Sequence, residues 1–152
     1  MYCEVRKWFR GEQGAVAVEF GVVFILFMLV TAAVLDFGHA WYMRQVITNA
    51  SREGARYGIT YRTDTNGTRV APSTLTPNLS DYITNRYLSN STLPSDAHPI
   101  ITVGGTGYTS GAKGAPLEVT ISTTKTWFLV SKLVPGLPDG TTLTARTVML
   151  CE

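Results

Sequence analysis

Glu19 is the sole charged side chain between Ala15 and Leu35, so its carboxylate lies just inside an otherwise unbroken apolar stretch. An ionised group in such surroundings costs a few kcal/mol or more, and it normally has either a partner or a function. One reading needs no partner. In the first turn of a helix a carboxylate gains about 0.3–1 kcal/mol from the macrodipole, and near the headgroups it stays wet.

Other residues with reactive side chains fall short of a site. His39 follows the apolar stretch and His98 stands before a proline, with no second histidine or cysteine at metal-ligand spacing. Gly104-Gly105-Thr106-Gly107 shares only composition with a phosphate-binding loop, since no Lys-Ser/Thr follows it. Cys3 and Cys151 lie on opposite sides of the apolar stretch, which argues against a disulfide between them. Cys151 is expected to be a small strand residue at the end of the chain, with an intermolecular bridge as its alternative. Sequons at Asn66, Asn78 and Asn90 are ordinary in a chain this rich in Asn, Ser and Thr. No catalytic residue, metal site or cofactor is expected, and neither is a small-molecule substrate.

Thirteen Lys and Arg against 11 Asp and Glu give a net charge of +2, with the basic residues scattered beyond the N-terminal cluster Arg6, Lys7 and Arg10. That pattern gives no support to nucleic-acid binding. Ala15–Leu35, at about 1.5 Å per residue, makes a helix of roughly 32 Å. A bilayer core is about 30 Å thick, so residues 15–35 are expected to cross a membrane. Three basic residues before the span against Arg44 and Arg52 shortly after it do not decide orientation by charge; the short N-terminal tail and the Ser/Thr-rich bulk of the C-terminal part favour an N-terminus inside and a C-terminus outside. A cleaved secretory signal ending near Val30 and Ala32 is the competing reading, but the apolar run exceeds the 7–15 residues typical of such segments.

Past Leu35 the helical period continues to about Tyr57. Met43, Val46, Ile47, Ala50, Gly54 and Tyr57 fall on one face, and Arg44, Gln45, Thr48, Asn49, Ser51, Arg52 and Arg56 on the other. The apolar stripe is expected to pack on a sheet, with Ala50 and Gly54 allowing close approach. Trp41 and Tyr42 suit the headgroup layer. Asp36 marks the outer boundary of the span or pairs with a basic residue of another subunit. Thr60–Thr76 reads as an exposed loop, and Ser80–Leu88 as a short helix with Ser80 as N-cap. Strands are expected at 99–103, around the alternating Leu117, Val119 and Ile121, and at 142–150, where a phase shift suggests a bulge. The connection from Trp127 to Gly140 is too apolar for a plain loop. It folds back over the sheet edge, or it contacts another subunit or the membrane surface. The fold class is α+β, a long helix on a small antiparallel sheet.

The segment Gly14-Ala15-Val16-Ala17-Val18-Glu19-Phe20 after a short basic leader resembles a type IV prepilin processing site. With Asp36-Phe37-Gly38 and Asn49-Ala50-Ser51-Arg52-Glu53-Gly54-Ala55-Arg56, the run from about residue 10 to 58 resembles the TadE-like pseudopilins of the tight-adherence (Tad, Flp, type IVc) pilus. His39 departs from the arginine common at its position, and Ser51 from a frequent alanine. The resemblance implies a pilin-like fold and cleavage between Gly14 and Ala15 by a prepilin peptidase. It implies a cytoplasmic leader (1–14), a span (15–35), an amphipathic continuation (36–58) and an extracytoplasmic domain (59–152). The location implied is the bacterial cytoplasmic membrane, with either entry into a pilus or retention in the membrane as part of its assembly platform. Glu19, followed by Phe20, would set register between subunits by meeting a neighbour's free amine in an apolar bundle. The implied partners are the membrane, the peptidase and other pilins and pseudopilins. Asp36, Phe37, Gly38, Asn49, Ala50, Arg52, Glu53, Gly54 and Arg56 carry the family pattern and are candidate partner contacts; a solvated helix face is the plainer reading of Arg52, Glu53 and Arg56. An uncleaved membrane-anchored binding protein is the alternative function, and an anchored hydrolase lacks a visible nucleophile and base.

Overall fold

One helix, α1 (Glu12–Ile59), dominates the molecule, because the apolar run and the amphipathic run share a helical period with no proline between them. The computed structural model describes residues 12–89, 93–94, 97–134, 136 and 138–152. The leader's basic residues, Cys3 and the sequon at Asn90 lie outside these. After α1 come a 3-10 turn (Pro72–Thr74), α2 (Leu79–Tyr87), β1 (Ile100–Gly104), α3 (Thr106–Ser110), β2 (Pro116–Thr126), α4 (Val130–Leu133) and β3 (Gly140–Leu150). The three strands form an antiparallel sheet in the order β1-β2-β3, so the fold is α+β.

Period-two alternation on β2 points Leu117, Val119, Ile121, Thr123 and Lys125 to one face, and each is at most 2% exposed. The outer half of α1 lies across that face, contributing Met43, Ile47, Ala50 and Ala55 to the core, with Ile83 of α2 beside them. Full burial of a side chain such as Ile47 is worth about 1.5–3 kcal/mol. Two glycines permit the close approach. A Cβ on Gly54 would lie 2.4 Å from Ile83 Cδ1, and one on Gly58 would lie 2.5 Å from Leu117 Cδ2. The small residue at 54 therefore admits α2 more than the sheet, and the sheet's own approach is at Gly58.

Three local expectations are corrected. Ser51, expected on the wet face, is fully buried, because its hydroxyl has two partners: the Thr48 carbonyl at 2.9 Å and Thr147 Oγ1 at 2.8 Å. The N-cap of α2 is Asn78 rather than Ser80. Its side-chain oxygen accepts from the Asp81 amide at 2.8 Å, leaving Ser80 inside the helix. There is no bulge in β3, whose register against β2 is unbroken from Gly140 to Leu150. The phase shift arises because Thr147, satisfied by Ser51, takes an inward position while Val148 and Leu150 stay on the exposed outer face.

Candidate functional site

The apolar inner half of α1 stands clear of the domain. Phe20, Phe24, Ile25, Phe27 and Leu35 are exposed, and the helix is long and apolar enough to cross a membrane. Gly14 and Ala15 lie within the first described turn of α1. Glu19 is exposed on this half, and the adjoining Phe20 ring stacks on Phe24 at 5.9 Å.

Where the apolar stretch ends, α1 meets the rest of the chain. Asp36 is 1% exposed, and its carboxylate accepts hydrogen bonds from three consecutive backbone amides, Phe128 at 2.9 Å and Leu129 and Val130 at 3.0 Å. These are amides at the start of α4. Leu129, its N-cap residue, supplies no side-chain acceptor, so a carboxylate from another element fills that role. Lys125 Nζ lies 3.7 Å from Asp36 Oδ1 and is equally buried. Its ammonium also donates to the Thr126 carbonyl and stands 4.5 Å from the centre of the Phe128 ring. Burial works against the charged carboxylate. The three amides, Val130's foremost, together with the Lys125 charge outweigh that penalty and hold the Asp36 carboxyl below the ordinary carboxylate range.

Asp36 is thus an internal clasp. The expected pairing with a basic residue of another subunit gives way to a partner within the chain, because β2 delivers Lys125 to the same face of α1. Ring contacts extend the clasp: Phe37 packs on Trp127 at 5.5 Å and His39 on Phe128 at 5.5 Å. The apolar connection therefore folds onto α1 instead of over the sheet edge. Its signal in the sequence was parity, since continuing Leu117-Val119-Ile121 by two steps places Lys125 inward.

The remaining candidates divide by face. Ala50 and Gly54 are buried against the domain and Glu53 is half-buried. Asn49, Arg52 and Arg56 form an exposed stripe, and Gly38 faces open space. Among the described residues the two ion pairs are Lys125–Asp36 and the exposed Arg146–Glu118, so Arg52 and Arg56 are engaged in neither. Cys151 is a free, buried thiol 3.7 Å from the Gly107 carbonyl. Among the described residues no three His, Cys, Asp or Glu side chains gather as metal ligands.

No curated protein and no solved structure matches the chain significantly. Residues 14–56, which run from the first turns of α1 through the Asp36 clasp to the exposed arginines, match the family model described as TadE-like protein, so that this segment is similar to TadE-like proteins.

Proposed function

We infer that the protein is a minor pseudopilin of a Tad pilus, cut between Gly14 and Ala15 by a prepilin peptidase and then used in pilus assembly, adhesion or secretion. The observation that carries this reading is the extent of the family match, which begins at Gly14 and spans the apolar helix and its amphipathic continuation. In this reading residues 15–35 cross the cytoplasmic membrane with the leader inside and the sheet outside. Glu19 is the register group for neighbouring subunits, and Asn49, Arg52 and Arg56 are the surface offered to them. The protein works by association with the membrane and with other pilins, and it catalyses nothing.

The test is mass spectrometry of the N-terminus of membrane-extracted protein from cells with and without the prepilin peptidase. A peptidase-dependent start at Ala15 supports the pseudopilin. An intact leader in both strains would leave an uncleaved membrane-anchored binding protein, and a start near Ala33 would mean a secreted domain.

A further inference from the structure

Three observations meet at the inner end of the domain. Asp36 fixes the start of α4 one residue beyond Leu35, the last residue of the apolar stretch. Ala32, one turn further in on the same face as Asp36, is only 7% exposed, although Leu29, Val34 and Leu35 around it are 46–65% exposed. The domain's cover, with α4 in contact with α1, thus extends below the polar boundary of the helix. Around the clasp, Phe128, Leu129 and Val134 are 46–59% exposed, as are Leu35 and Phe37 at 60–65%. Such a cluster of outward apolar side chains on a small domain usually marks a contact surface.

Depth decides what covers it. If Ala15–Leu35 fills the roughly 30 Å hydrocarbon core, Leu35 lies at its outer edge. Asp36 then lies in the headgroup layer, and Ala32 about 6 Å inside it. The apolar residues clasped to Asp36 share that level. Trp41, 67% exposed, stands less than two turns above, and Lys132 in α4 is exposed where its ammonium can reach lipid phosphate while its methylenes stay with the apolar residues. We propose that the segment from Trp127 to Val134 is a second membrane contact, in which Phe128, Leu129 and Val134 sit in the outer interface of the bilayer beside the spanning helix. This rests on residues 15–35 spanning the membrane. The lipid contact fixes the rotation and tilt of α1, which a lone helix leaves free.

The full chain, with Cys3→Ser and Cys151→Ala, is reconstituted into nanodiscs of phosphatidylcholine and phosphatidylglycerol. A single cysteine at Leu129, or separately at Val134, carries a polarity-sensitive fluorophore. Ile25→Cys probes the span, and Thr144→Cys the exposed face of the sheet. Nitroxide lipids labelled at the headgroup or shallow acyl positions are expected to quench positions 129 and 134 several-fold more than position 144, while aqueous iodide does the reverse. Position 25 is expected to respond to deep acyl nitroxides. If 25 responds and 129 and 134 behave like 144, the second contact is overturned while the span stands. If 25 fails to respond, the spanning reading itself falls. Protection from iodide without lipid quenching, appearing only as more copies load per disc, would assign the surface to a second copy and overturn the lipid proposal.

Discussion

The Asp36 carboxylate and the Lys125 ammonium stand 3.7 Å apart, each 1% exposed, and neither could be left alone in that place. Desolvating two ions costs several kcal/mol each, so the pair itself is close to neutral for stability. Its value lies in placement. Only one arrangement of α1, β2 and α4 satisfies the carboxylate, the ammonium and three amides at once.

Asp36→Ala is therefore expected to destabilise the domain by about 3–5 kcal/mol, because it leaves a buried cation and three amides without their acceptor. Lys125→Met is expected to cost less, since the carboxylate keeps its amides. The double variant should lose less than the sum of the two. Denaturant unfolding of the full chain in detergent measures all three, and strict additivity would contradict the coupling.

Acid should weaken the same clasp. The Asp36 carboxyl titrates below the value of 3.8 that it would have when unfolded. Its stabilising contribution is complete above about pH 5 and is lost as pH falls through 3.8 toward the folded value. Glu118, held low by Arg146, shares the acid limb, so the readout is the difference between wild type and Asp36→Asn. The two stability curves should converge as pH drops, and parallel curves would show that Asp36 is not the group responsible.

Helix glycines make a contrasting pair. Gly54→Ala drives a methyl into Ile83 and is expected to cost about 1–3 kcal/mol, with Ile83→Val relieving part of the loss by removing the nearest carbon. Gly38→Ala meets nothing within 4 Å and should stabilise the helix by up to about 1 kcal/mol. Thermal melts of the three variants decide this, and equal effects at 54 and 38 would refute the packing.

Much of this was visible before folding. The continuous helical period announced α1, and alternation announced the buried face of β2. The clasp was less legible because Asp36 follows an apolar run, where a carboxylate reads as a boundary marker, and its partners come from residues 125–130. Ser51 misled for a related reason. A lone serine on a helix looks solvated until a distant threonine, here Thr147, gives its hydroxyl somewhere to bond. The absent bulge in β3 teaches the same point, for an inward threonine breaks an apolar alternation without breaking the strand.

For Glu19 the expectation concerns assembly rather than folding. On the proposed pseudopilin reading, Glu19→Ala should leave cleavage after Gly14 intact and abolish incorporation into pili, since there Glu19 would be one member of a buried intersubunit ion pair, whose loss costs about 3–5 kcal/mol. Immunogold counts of pili beside N-terminal sequencing test it. Wild-type pilus numbers with the variant incorporated would end the register role.

Two fastenings hold α1 to the sheet at separate heights, Asp36 to the amides before β3 and Ser51 to Thr147 within it. Along the helix they are roughly 22 Å apart. A rod fastened at two points cannot swivel on its load. Force applied to the inner end of α1 reaches the sheet at both levels, so a twist of that end is expected to carry with it the outer face that bears Thr142, Thr144, Val148 and Leu150.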